Sequence, residues 1–428
     1  MADRPALRRP LALATGLLFL VLGGLALVWS LWGEDLVLSA SQGASVSWLN
    51  SIFDSGGRLP LEVGMEHARE YLWGLVAISA SVYGLVVTVL MVRAMKRPRR
   101  WLLPALCVWW LGVETFAAPL LQRTLRLQHY AMIRDVDHRP QQAGPSMNSD
   151  GIRGAPESSE YRAEGLNLLF LGDSFTYGFK VKAQQAFPSL VGEQLRGALA
   201  RDDVRIANFG WTSSSPLLSY RRLLDNGDDY KPDLVILNID MTDFQDDIRW
   251  DNMLQRRGLY ALYERMPIAT RLANAWAPQL FKRALFASVG SPPMERFFIT
   301  EAPLEETRPW FAPLVSNVEA IAAWCDERDV AFVLVILPRC YQYDEREAMD
   351  SWERERYTVM GPYSLEPFRF FEEYADGVDF PVVSLLPAFA GKQSYPTCFP
   401  SDPHWNAKGH RVAARAIAEL LLPILREL

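Results

Sequence analysis

The apolar positions of this chain follow two regimes. Toward the N-terminus they run almost unbroken: residues 11–32 and 71–92 hold no charge, and 101–121 hold one, Glu114. Each run reaches the roughly 20 residues needed to cross a hydrocarbon core. The pattern therefore predicts three transmembrane helices, over about 11–32, 71–93 and 101–121. From residue 166 onward the apolar runs are short and alternate with longer stretches of helical spacing. Runs at 166–171, 204–208, 234–239, 331–337 and 382–385 read as strands. Segments 187–200, 215–224, 315–327, 365–374 and 407–422 read as helices. That alternation predicts an α/β fold, a three-layer sandwich around a central parallel sheet. A parallel sheet places its chemistry at the carboxyl ends of its strands.

The organisation expected is a membrane anchor over 1–121, a polar connector over 122–165 and a catalytic-type α/β domain over 166–428. Residues 249–308 break the alternation and look like a helical insertion, with Met266, Leu272, Trp276, Leu280, Phe281, Leu285 and Phe286 spaced loosely as one face. A lid or a lipid-touching helix, through Arg271, Lys282 and Arg283, is conceivable there; a plain packing helix is the commoner explanation.

Charge adds direction. The net charge of −6 gives no sign of nucleic-acid binding. Arg4, Arg8 and Arg9 and the cluster Arg93, Lys96, Arg97, Arg99 and Arg100 flank one side if three helices cross, and that side should be cytoplasmic. The first loop, with only Arg58 and Arg69, and everything after the third helix should then lie outside, making the α/β domain extracytoplasmic or periplasmic. A cleavable signal peptide competes for the first run, but secretory apolar cores span only about 7–15 residues. Twin-arginine export is discounted from the residues after Arg8-Arg9. An oxidising compartment permits disulfides, and Cys340 with Cys398 is the pairing expected, against the alternative of inert thiols.

Candidate chemistry sits at two places. Gly172-Asp173-Ser174-Phe175-Thr176-Tyr177-Gly178 follows the first strand in a Gly-bounded turn that would lift the Ser174 hydroxyl above the sheet edge. A serine needs a base to take its proton and a third group to orient that base. Asp402 and His404 lie two apart, so in an extended segment they share a face, and a carboxylate at 402 could orient the imidazole at 404 toward Ser174.

Together these residues resemble the SGNH, or GDSL-like, hydrolase family. Gly172-Asp173-Ser174 matches its first block, and Gly210 in Asn208-Phe209-Gly210 the second. Asp240-Met241-Thr242-Asp243, after Pro232-Asp233-Leu234-Val235, matches the third, and Asp402-Pro403-His404 the fifth. The lead-in Asn148-Ser149-Asp150-Gly151-Ile152-Arg153 is similar to membrane-linked bacterial members. The resemblance implies the flavodoxin-like SGNH fold, a nucleophile at Ser174, a base at His404 and an orienting carboxylate at Asp402. It also implies an oxyanion hole from the backbone N–H groups of Ser174 and Gly210 and an asparagine side chain. Here Thr242 replaces that asparagine and Asp240 replaces the glycine of the third block. Thr242 could donate one hydrogen bond at shorter reach, and losing such a donor costs about 10² to 10³ in rate. Asn238 is a weaker substitute.

The function expected is a membrane-anchored serine esterase acting on O-acyl, in particular O-acetyl, esters of cell-surface polysaccharide. Alternatives are an O-acetyltransferase using the same triad and a non-catalytic glycan-binding or assembly protein with a decayed oxyanion hole. Partners expected are the lipid bilayer and an acylated carbohydrate or other ester. No cofactor and no metal set is expected: Asp240, Asp243, Asp246 and Asp247 read as solvated loop carboxylates, and His410 as structural. Trp211 and Trp405 could stack on a sugar or wall the site. Glu114 reads as a hydrogen-bonding residue between helices, with Ser79, Ser81 or Tyr83 as partner.

Overall fold

The structure, a computed structural model, describes residues 68–93, 98–117 and 146–427, apart from 256, 263–265, 267–268, 271–272, 274–275, 291–295 and 392–394. Two compact units emerge, one of 1–136 with 256–288 and one of 137–255 with 289–428.

In the first unit, α1 (Ala68–Arg93) and α2 (Pro98–Gly112) fall on two of the expected crossings, and α2 runs on into a π turn at Val113–Ala117. The crossing expected at 11–32 lies outside the described residues. Among the described residues no helix is long and apolar enough to cross a membrane. Pro98–Gly112, at 15 residues, falls short of the roughly 20 that a crossing requires. Glu114 is fully buried, and its Oε1 accepts the backbone N–H of Ala269 at 2.6 Å. The carboxylate thus ties the end of α2 to the segment 256–288. The single apolar face expected there is split on the helix Pro278–Ala287 and the residues before it. Leu285 and Phe286 are buried, whereas Trp276 is 87% and Leu280 68% exposed.

The second unit is built on a parallel sheet of five strands, β1 (Leu166–Leu171), β2 (Val204–Asn208), β3 (Leu234–Ile239), β4 (Ala331–Ile336) and β5 (Val382–Ser384), in the order β2-β1-β3-β4-β5. Every residue of β1 and β3 is buried, because helices cover both faces. That is why these strands are continuous apolar runs and not alternating ones. Their side chains still divide with period two. Leu169, Leu171, Val235 and Leu237 enter one core with α5 (Pro216–Asn226), α7 (Ala312–Asp326) and α8 (Glu366–Ala375). Leu168, Phe170, Leu234 and Ile236 enter the other, with α4 (Phe187–Leu199) and α9 (Ala407–Glu427). The four-residue α3 (Ser174–Tyr177) follows β1 and adds Phe175 to the second core, and α6 (Asp243–Leu254) follows β3 and adds Phe244 to the first. An antiparallel hairpin of β6 (Cys398–Phe399) and β7 (Asp402–Trp405) precedes α9. The expected strands coincide with the observed ones to within a residue; the hairpin is too short to register as periodicity.

Candidate active site

The nucleophile turn is forced by packing. Gly172 has φ +146°, and a Cβ there would lie 2.3 Å from Thr176 Oγ1 and 2.7 Å from the Asn238 carbonyl oxygen, so only glycine fits. Asp173 then caps α3, its Oδ1 accepting the Phe175 N–H at 2.8 Å. Ser174, the first residue of α3, stands at the carboxyl end of β1.

The hairpin brings the other two groups to it. His404 Nε2 is 2.8 Å from Ser174 Oγ, and His404 Nδ1 is 2.5 Å from Asp402 Oδ1, which also accepts the His404 backbone N–H at 3.0 Å. An ionised carboxylate only accepts, so Nδ1 carries the ring proton and Nε2 is left as acceptor for the serine hydroxyl. Phe175 and Phe179 flank the ring with centroids 5.2 and 4.8 Å away. Burial resists ionisation of Asp402, but hydrogen bonds from His404 and from Lys180, whose Nζ lies 2.7 Å from Oδ2, hold its carboxyl well below the usual range. Lys180 gave no sign of this role in the sequence, where it is one charge in a turn.

The expected oxyanion donors are arranged differently. Thr242 Oγ1 and its backbone N–H both donate to Asp240 Oδ1, each at 2.6 Å, closing an Asx turn. The single hydroxyl proton of Thr242 is thereby committed. The cause is the replacement of the family's glycine by Asp240, whose carboxylate captures the hydroxyl two residues on. The Gly210 N–H donates to Asn208 Oδ1 at 3.0 Å. Gly210 is required by close approach, since a Cβ would lie 2.4 Å from the Tyr177 backbone nitrogen. Asn238 donates from Nδ2 to the Leu171 carbonyl at 2.9 Å and so fastens β3 to the end of β1. Of the three expected donors, the backbone N–H of Ser174 has no hydrogen-bond partner among the described residues.

Beneath the turn lies a charged floor that the sequence did not announce. Arg339, just past β4, is 2% exposed; its Nη1 donates to Asp240 Oδ2 at 2.7 Å and its Nη2 to Glu353. Burial disfavours ionisation of Asp240, but Arg339 outweighs it and keeps the carboxyl low. Burial and the nearby Asp240 charge push Asp173 up to about 7, and burial with Asp173 and Asp240 raises Asp243 well above the usual range. Asp240, Asp243, Asp246 and Asp247 are all buried, not solvated as expected. Asp247 accepts the Leu217 N–H at 2.8 Å and Asn317 Nδ2 at 2.6 Å. Among the described residues no cluster could hold a metal ion.

Trp405 is fully buried and stacked on Phe389, which makes it core and not a sugar platform; Trp211 is half-buried and meets Tyr177 edge-on. His410 is buried, with Nδ1 accepting the Phe187 N–H. The Cys340–Cys398 bond expected from sequence is not formed: both are free, buried thiols, Cys340 Sγ lying 3.9 Å from Tyr357 Oη and Cys398 Sγ 3.3 Å from Tyr343 Oη.

Residues 170–358 match the family described as GDSL-like Lipase/Acylhydrolase. No curated protein sequence matches the chain. Among solved structures, similarity extends to a putative lipolytic G-D-S-L protein from Desulfitobacterium hafniense (15% identity, TM-score 0.34, 59% of this chain and 98% of that one). A GDSL-like lipase from Bacteroides thetaiotaomicron matches at 12% identity and TM-score 0.33, over 63% of this chain and 92% of that one. A psychrotrophic esterase from Pseudoalteromonas matches at 12% and 0.35, over 60% and 98%. The match covers 170–358, under half of the chain; that segment is similar to GDSL-like lipase/acylhydrolase domains, which indicates a serine ester hydrolase.

Proposed function

We propose that the protein is a membrane-anchored, extracytoplasmic esterase that works through Ser174, His404 and Asp402 on O-acetyl esters of a cell-surface polysaccharide. The observation that carries the triad is the continuous relay from Asp402 Oδ1 through His404 to Ser174 Oγ, at 2.5 and 2.8 Å. Ser174 attacks the ester carbonyl while His404 Nε2 takes its proton; Asp402 stabilises the resulting imidazolium. The imidazolium then protonates the departing alcohol, leaving an acyl-enzyme that water, activated by His404, hydrolyses. The oxyanion is met by the Ser174 N–H, while the Gly210 N–H is held by Asn208 Oδ1. The apolar runs and the Lys and Arg bias support the anchor and its orientation. The polysaccharide substrate rests on the resemblance of the lead-in 148–153 to membrane-linked members.

The test is fluorophosphonate labelling of the full chain beside Ser174→Ala, followed by product analysis with an O-acetylated glycan with and without an acceptor glycan. Free acetate and a label lost in the variant support the esterase. Acetyl appearing on the acceptor in place of acetate would replace it with a transferase. A wild type that takes no label would remove the triad.

A further inference from the structure

Two cations outside the triad reach it through one loop. The Gly-bounded turn ends α3 at Gly178, with φ +78°, and the residues after it bring Phe179 against the His404 ring and Lys180 onto Asp402. Lys180 itself has φ +64°, a region disfavoured for any residue with a Cβ. Such a conformation persists only where surrounding contacts over-determine it. Those contacts come from Arg153, the last residue of the 148–153 lead-in. Its Nη1 donates to the carbonyls of Tyr177 (2.6 Å) and Gly178 (2.7 Å), its Nη2 to that of Val181 (2.6 Å), and its guanidinium lies 4.4 Å from the Tyr177 ring centre. The lead-in is fixed in turn: Asn148 Oδ1 accepts the Ile152 N–H at 2.8 Å, and its Nδ2 donates to Tyr230 Oη at 2.7 Å.

We propose that Lys180 is a positioning residue for the triad, set in place by Arg153: its ammonium holds Asp402 Oδ2 so that Oδ1 stays turned to His404. This rests on the triad reading above. An ion pair between two exposed side chains would carry little weight. Here the acceptor is 5% exposed while the lysine is 44% exposed, so one partner is fixed in the protein and the other closes it from the solvent side. The His404 ring and backbone N–H both hold Oδ1, and Lys180 is the partner of Oδ2 among the described residues; without it the carboxylate keeps Oδ1 alone as its anchor against rotation about χ2. Lys180 also brings a full positive charge to the Asp402 end of the relay, 2.7 Å from Oδ2. Its removal moves the acid limb of the rate profile to higher pH.

The experiment compares Lys180→Met and Lys180→Arg with wild type, all as full chain, using an aryl acetate over a pH series together with the rate of fluorophosphonate labelling. Methionine has a Cβ and a stem like those of lysine, so the backbone cost at φ +64° is unchanged and the comparison reads the charge. The expected result for Lys180→Met is a kcat lower by about 10-fold, KM within about twofold and an acid limb raised by roughly half a unit to one unit. Lys180→Arg should recover most of kcat and the original limb. Unchanged kcat and limb in Lys180→Met would overturn the proposal while leaving the triad intact. Equal impairment of both variants would also overturn it, because the loop and not the charge would then matter. A wild type that neither turns over nor takes the label overturns the triad reading and this proposal with it.

Discussion

Thr242 gives its hydroxyl proton to Asp240, 2.6 Å away, at the position where an oxyanion donor would be expected to stand. A hydroxyl has one proton to donate, so Thr242 is part of the buried floor and not of the oxyanion hole. Thr242→Val should therefore leave kcat within about threefold of wild type, whereas loss of a true oxyanion donor costs about 10² to 10³. The same change should lower stability by roughly 1–2 kcal/mol, because an ionised acceptor loses a partner. Esterase kinetics beside urea unfolding separate the two effects; a hundredfold fall in kcat would return Thr242 to the oxyanion hole.

Asp402 holds His404 by both its Nδ1 and its backbone N–H. Asp402→Asn keeps the shape but offers an amide that can donate to Nδ1, which favours the wrong tautomer. Turnover should fall about 10⁴-fold with folding preserved. Circular dichroism and labelling rates check this, and retention of a tenth of the activity would show that Asp402 does not orient the base.

How much of this was legible depends on the range over which a signal acts. Strands such as 166–171 and 234–239 are readable because burial on both faces makes them unbroken apolar runs. Gly172 and Ser174 are readable because a strand-to-helix turn concentrates its constraints within a few adjacent positions. Asp402 and His404 need only a two-residue period. Arg339 and Asp240, by contrast, pair across 99 positions, and nothing near either residue records the other. Asp243 and Asp247 look like solvated loop residues in the sequence, yet they become buried when α6 packs. The fate of the Thr242 hydroxyl was hidden for a smaller reason: the carboxylate that captures it stands at the block's glycine position two residues earlier, and residue types alone do not show which way either side chain turns.

Arg339 bridges Asp240 and Glu353, all three within 2% of full burial. Arg339→Met would leave two carboxylates buried without their shared cation. Breaking such an arrangement costs about 3–5 kcal/mol. Urea unfolding of the full chain in detergent should show that loss, and Arg339→Met combined with Asp240→Asn and Glu353→Gln should recover part of it. A loss below about 1 kcal/mol in the single variant would mean that the carboxylates simply take up protons, so the floor would not depend on its cation.

Burial, reinforced by the charges of Arg153 and His404, lowers His410 to about 3, and its Nδ1 accepts the Phe187 N–H at 3.2 Å. The unfolded chain returns this histidine to about 6.5. Between those values the unfolded state binds the proton and the folded state does not, so stability rises with pH through this window. The contribution of neutral His410 is fully present above about pH 6.5 and is lost as pH falls toward 3, with a span of roughly 5 kcal/mol. His410→Asn keeps an acceptor near the Phe187 N–H but cannot titrate. It should cost about 1–2 kcal/mol near neutral pH by imperfect packing, and the gap to wild type should narrow or reverse as pH falls from about 6.5 to 4.5. Unfolding free energies of both proteins at several pH values in that range test this, because Asp402 and the buried carboxylates titrate in both and cancel in the difference. A gap that stays constant with pH would mean that His410 is not held neutral by the fold.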